Sequence, residues 1–323
     1  MKNSSLFPLF IILTLSLSCC RSKMTPEEAD RSMKILNGNL VNMMSTGSEK
    51  PEFKALKFLM TQASCPLPFV KKGNSSAPDT TVYRFEPNKA NYQWNPNKKT
   101  FEKTADNSII ELNFPSDKSV VNDLIFRLNN YKSQPYSSRP DFPTQIDAVL
   151  NSEQAQLLKL THRAVITDKL PGQISSEIEG SDYSARFELN RTRQNKSGEL
   201  YIETFLKTKG IKIISGVMDS QIEYGKRSYF FKTIRFNLKL IDHTISGKIN
   251  YSAIDPMASD YVGSFNSNSD ILIKEGQKVV GKIILNKTNN SELLDYFVRF
   301  SNGREITLCE YIPALKNLLN LKY

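Results

Sequence analysis

The chain has 323 residues, a formal net charge of +10 and 39% hydrophobic residues, with 18 Phe and 13 Tyr among them. That apolar and aromatic content excludes a disordered chain, and the length suits one large or two modest domains. The cations are dispersed (Lys98, Lys99, Lys103; Lys207, Lys209, Lys212; Lys226, Arg227), with no run of five or more. This reads as a solvated Lys-rich surface or one that meets acidic lipid or polysaccharide, and not as a nucleic-acid binder.

Residues 1–20 carry one early cation, Lys2, then an apolar run from Leu6 to Leu17, then small residues before Cys19 and Cys20. The run is too short for a bilayer span, and Pro8 argues against a buried helix. This is the tripartite pattern of a secretory leader. With cysteine at the cleavage point it resembles a bacterial lipoprotein signal, read as Leu17-Ser18-Cys19-Cys20 with Cys20 lipidated or Ser16-Leu17-Ser18-Cys19 with Cys19 lipidated. Neither register is perfect, a looseness similar to that of Bacteroidetes lipoproteins. The resemblance implies export and a lipid anchor in the cell envelope, most simply the outer membrane. A chain beginning at either cysteine has five or six residues before Thr25, a tether of roughly 20 Å.

Thr25-Pro26-Glu27-Glu28 is a helix start, with Thr as N-cap and Glu closing a capping box. Met33, Leu36, Leu40, Met43 and Met44 follow at helical spacing up to Gly47. A second helix is predicted from Pro51 to Ala63, and 71–79 is a loop by composition. The chain's start also resembles uncharacterised Bacteroidetes lipoproteins that open with a TPEEA-type helix. That likeness supplies no catalytic residues.

From Thr81 the period changes to two. Tyr83–Phe85, Tyr92–Trp94 and Thr100–Glu102 are separated by two Pro-Asn-Lys turns and read as successive hairpins, followed by Ile110, Leu112 and Phe114. Pro135–Pro143 reads either as a divider between two sheets or as a long crossing loop. Tyr183–Asn190, Ile234–Leu240 and Ile245–Tyr251 alternate apolar with polar, which indicates antiparallel strands with one wet face. Asn302-Gly303 marks a tight hairpin, and Ala314, Leu315, Leu318 and Leu319 mark a short C-terminal helix. The expected fold is α+β and mainly antiparallel: residues 1–20 as leader, 21–80 as a helical cap and loop, and 81–323 as a large curved sheet or half-barrel with a terminal helix.

Chemistry-bearing motifs are sparse. His162 and His243 read as surface or turn histidines, with no metal-ligand spacing around them, and GxSxG, P-loop and GxGxxG patterns are absent. No metal or cofactor is expected. Glu177 and Glu179 would share one side of a strand and are read as solvated. Trp94 reads as core, with a sugar-stacking surface as the alternative. Cys65 and Cys309 are either a disulfide that an oxidising compartment permits or two separate thiols.

In outline the predicted β body is similar to the half-barrels of LolA/LolB-type lipoprotein carriers, a likeness of architecture with no shared motif. It implies a non-enzymatic binding or structural lipoprotein that holds a lipid or other apolar ligand. Phe187, Leu189, Phe236, Leu238 and Ile249 are the candidate ligand-facing residues. That reading requires an apolar cavity lined by strands 183–189 and 234–251. An adhesin or envelope-assembly partner should instead expose an apolar patch without a pocket. A secreted polysaccharide or ester hydrolase should bring together two carboxylates, or Ser and His, from distant strands.

Overall fold

The computed structural model describes residues 22–68, 83–117, 119–136, 139–225, 228–288 and 293–313. The leader cysteines Cys19 and Cys20, the 71–79 loop and the predicted helix at 314–319 lie outside them. Four helices are described: α1 (Pro26–Ser48), α2 (Pro51–Thr61), α3 (Tyr261–Ser267) and α4 (Leu308–Tyr311). The strands are β1 (Ala90–Asn95), β2 (Thr100–Asp106), β3 (Ile110–Phe114), β4 (Leu124–Tyr136), β5 (Arg139–Ser152) and β6 (Gln156–Thr167). There follow β7 (Leu170–Gly180), β8 (Tyr183–Arg191), β9 (Ser197–Thr208), β10 (Ile211–Tyr224) and β11 (Tyr229–Leu240). The last are β12 (His243–Asn250), β13 (Ser269–Glu275), β14 (Lys278–Lys287), β15 (Leu294–Arg299) and β16 (Glu305–Thr307).

The sixteen strands bond in one linear order, β16 through β3 in sequence and then β1 and β2. β1 and β3 run parallel, and the other strand pairs whose register is described are antiparallel. The expected half-barrel does not form. The order begins and ends on unpaired edges, so the sheet is open. Alternating strands and tight turns specify antiparallel neighbours, but closure also needs a consistent tilt and stagger around a ring.

Two compact units divide the chain: Val41–Phe236, and Met1–Leu40 with Asn237–Tyr323. In Val41–Phe236, α2 buries Ala55 and Leu59. These join Trp94, Phe101, Ile110, Leu112, Phe114, Phe126, Leu128 and Leu150 in one apolar cluster. Phe58 stacks on Phe114 at 5.6 Å and meets Trp94 edge-on at 5.0 Å, so Trp94 is a core residue. A smaller cluster of Leu170, Leu200, Ile222 and Tyr224 sits farther along the sheet. Between the two clusters cover thins. Every residue from Tyr201 to Thr208 is half-buried, whichever way it points. A strand inside a two-layered domain would alternate buried with exposed.

The other unit begins with the predicted capping box. The Thr25 N–H donates to Glu28 Oε2 at 2.9 Å, and the Glu28 N–H donates to Thr25 Oγ1 at 3.2 Å. α1 then buries Ala29, Met33, Leu36 and Leu40. The segment before it lies along β14: the Met24 N–H donates to Val279 O and the Val279 N–H to Ser22 O, both at 3.0 Å. A hairpin joins β15 to β16 at Asn302-Gly303, but its turn is longer than the two residues expected: the Phe300 N–H donates to Arg304 O at 2.9 Å, which leaves 301–303 in the turn. Gly303 has φ +85°, a left-handed conformation that glycine adopts without a Cβ penalty.

Two local expectations fail. Tyr83–Phe85 forms no strand, and Glu86–Asn88 is a short 3-10 turn leading into β1. Pro135–Pro143 is neither a divider nor a crossing loop, because it lies in the β4–β5 hairpin. Register shifts between Lys132/Ser133 and Gln134/Tyr136 take up the prolines, as strands tolerate Pro only at bulges and edges.

Candidate binding surfaces

Residues opposite one another in the ladders share a face. Ile174 faces Leu189, which faces Ile202 and then Met218; Ile178 faces Ala185, then Leu206 and Ile214; Ser176 faces Phe187 and then Thr204. One side of β7–β10 therefore carries a mainly apolar stripe, interrupted by the hydroxyls of Ser176 and Thr204 and without a charge among these residues. Phe187 is 36% exposed, and Leu189 is half-buried against the small Leu170 cluster. The opposite side carries charge: Glu177 faces Arg186, Glu188 faces Glu203, and Glu179 lies 3.5 Å from Lys159. Glu177 and Glu179 do share a side, within a ladder of neutralising cations.

Of the five candidate ligand-facing residues, Phe187, Leu189 and Phe236 belong to the Val41–Phe236 unit and Leu238 and Ile249 to the other. Phe236 and Leu238 are half-buried in β11 and alternate with exposed Arg235, Asn237 and Lys239. Ile249 is buried within its own unit, opposite Ser269 of β13. A half-barrel would have wrapped such residues round a hollow, whereas an open sheet leaves Phe187 and its neighbours on a surface.

A depression of about 420 Å³ does exist in the Val41–Phe236 unit, but it is polar. Gln156, Glu179, Tyr183, Ser184, Lys207 and Lys209 line it, with the Gly180–Asp182 turn. Asp182 binds Lys50 at 2.5 Å, and that hydrogen bond holds the Asp182 carboxyl below the usual carboxylate range. The Tyr183 ring stacks on Phe53 at 5.2 Å. Its hydroxyl and Glu52 Oε1 are buried with no hydrogen-bond partner among the described residues. Burial, followed by the charges of Glu52 and Asp182, drives the Tyr183 hydroxyl's pKa upward.

The histidines are not surface residues. His162 stands in mid-β6, its Nδ1 2.7 Å from Ser176 Oγ and its Nε2 3.0 Å from Pro143 O. His243 opens β12 and is 1% exposed, with Nε2 2.8 Å from Ser32 Oγ. This Ser–His pair escapes sequence reading because its members lie 211 residues apart. Ser32 is itself only 3% exposed, so the pair is sealed and ties α1 to β12. Glu275 stands opposite His243 in the ladder, and Asp242 precedes it.

Burial pushes both imidazoles below their ordinary pKa of about 6.5. Both rings are neutral in folded and unfolded chains at pH 8. As pH falls through about 6.5 the unfolded chain takes up protons first, so the fold loses stability on the acid side of that value. Urea midpoints should fall between pH 7.5 and pH 5.5, and a His162→Gln/His243→Gln double variant should lose less over the same interval. An equal loss in both proteins would assign the acid sensitivity to other groups.

Cys65 is a buried thiol in the α2 core cluster and Cys309 a half-buried thiol in α4, and no disulfide joins them. Among the described residues, no group of three His, Cys, Asp or Glu could hold a metal ion, and no helix is long and apolar enough to cross a membrane. Comparison with protein-family models, curated proteins and solved structures returned no match.

Proposed function

We propose that this chain is an exported, lipid-anchored protein of non-catalytic type that binds a macromolecular partner of the cell envelope through the apolar side of β7–β10. The observation that carries the reading is the stripe of half-buried Ile174, Leu189, Ile202 and Leu206 with exposed Phe187 among them, on an open sheet. Apolar surface that stays in contact with water favours association. A carrier of single lipids needs an enclosed apolar hollow, and the depression in this unit is polar instead. The anchor rests on the leader, and the hydrogen bonds of Ser22 and Met24 to Val279 agree with a short tether.

Native mass spectrometry on the full chain, made in a bacterial host and released in mild detergent, tests both parts. The expected mass begins at Cys19 or Cys20, carries a thioether-linked diacylglycerol, and holds no further lipid. An unmodified N-terminus would overturn the anchor. Co-purifying lipid that Phe187→Glu releases would overturn the partner reading in favour of a carrier. A photoreactive residue at position 187 should crosslink to a discrete envelope component in cells, whereas one at position 186, on the charged side, should not.

A further inference from the structure

Lys207, Lys209 and Lys212 look dispersed in the sequence, yet the β9–β10 hairpin gathers them. Lys209 and Gly210 form its two-residue turn at φ +50° and +78°, which sets Lys207 directly opposite Lys212. Like charges facing each other across a ladder are unfavourable. Both ammonium groups also lean over one ring, that of Phe205, at 4.8 and 5.1 Å. Among the described residues none of the three lysines has a carboxylate within 4.0 Å. The nearby acids are committed elsewhere, Glu179 to Lys159 and Asp182 to Lys50. Lys207 and Lys209 line the polar depression, with Ser184 and Gln156 as neutral hydrogen-bonding groups beside them.

We infer that this depression, with Lys212 on the strand beside it, is a binding site for an acidic saccharide: Lys207, Lys209 and Lys212 receive a sulfate, phosphate or carboxylate, and Ser184 and Gln156 meet sugar hydroxyls. Its volume of about 420 Å³ falls in the ordinary range of small-ligand sites. An oxyanion between Lys207 and Lys212 would turn their mutual repulsion into attraction. The concave shape, with Ser184 and Gln156 beside the lysines and the carboxylates of Glu179 and Asp182 at its wall, favours a saccharide that brings hydroxyls as well as an anion over the broad cationic face that a membrane surface engages. The site is independent of the apolar stripe.

The test is fluorescence anisotropy on the full chain with a labelled dextran-sulfate oligosaccharide, and with neutral dextran of equal length as control. Saturable binding of the sulfated probe alone is expected, weakening as salt is raised. Lys207→Gln/Lys209→Gln/Lys212→Gln should weaken it about tenfold or more, the loss of roughly 1.4 kcal/mol across three exposed contacts. Removing the same charge from the β1–β2 hairpin, as Lys98→Gln/Lys99→Gln/Lys103→Gln, should leave it within about twofold, as expected when only long-range field changes. Equal losses in the two triple variants would overturn the site. So would absence of binding, or lysine-dependent binding to phosphatidylglycerol vesicles without binding to the oligosaccharide.

Discussion

Arg191→Ala is expected to destabilise the Val41–Phe236 unit by about 2–5 kcal/mol, since several buried acceptors lose their donors together. The Arg191 side chain is buried, and among the described residues no carboxylate forms an ion pair with it. Its Nε donates to Pro171 O at 2.8 Å, one terminal nitrogen donates to Tyr224 Oη at 2.6 Å, and the other reaches Thr167 O at 2.7 Å and Leu170 O at 3.2 Å. Tyr224 Oη in turn donates to Thr192 O at 2.8 Å. One guanidinium thus joins the β6–β7 turn to the β8–β9 loop and the end of β10. Gly198 completes the arrangement, because a Cβ there would stand 2.2 Å from Thr192 O. Only the rigid fork of Arg spans these acceptors, so Arg191→Lys should recover less than half of the loss. Urea unfolding followed by circular dichroism measures both variants, and a cost below about 1 kcal/mol for Arg191→Ala would mean that water replaces the lost donors.

The second large effect contrasts two phenylalanines of the same unit. Phe114 is fully buried between Phe58 and Phe101, and Phe114→Ala should cost about 3–5 kcal/mol, the transfer and cavity contributions together. Phe187, 36% exposed on the apolar stripe, should cost less than about 1 kcal/mol on the same change, because it stands at an open surface and its removal leaves no closed cavity behind. Urea midpoints under identical conditions decide the matter. Costs that match would mean that the stripe is covered in solution, and the binding surface proposed above would be lost with that result.

Sequence patterning carries the local structure far here. The capping box at Thr25 and Glu28 forms as read, strands cover the alternation read at 183–190 and that at 245–250, with Tyr251 falling in a 3-10 turn instead, and a turn forms at Asn302-Gly303. Each is decided by side chains within a few residues. Closure is not such a property: a strand with one apolar face has the same alternation in a barrel wall, a sandwich or an open layer. Burial of His243 depends on Ser32 in a distant helix, so no local pattern announces it. The lysine cluster was within reach, since a Lys-Gly turn at 209–210 places 207 opposite 212 once the hairpin is drawn. The prolines of β4 and β5 mislead for the converse reason, because bulges let a strand absorb what normally ends one.

From β4 to β16 each strand's neighbours are those next to it in the chain. Most pairings therefore close short loops, and the entropy of bringing partners together is small at every step. Such a sheet can grow by adding one hairpin to a preformed edge, much as repeat arrays extend from a nucleus. The same order governs response to force. A pull applied along the order of strands would peel them off one at a time, breaking one ladder before loading the next, so extension should proceed in a series of small yields.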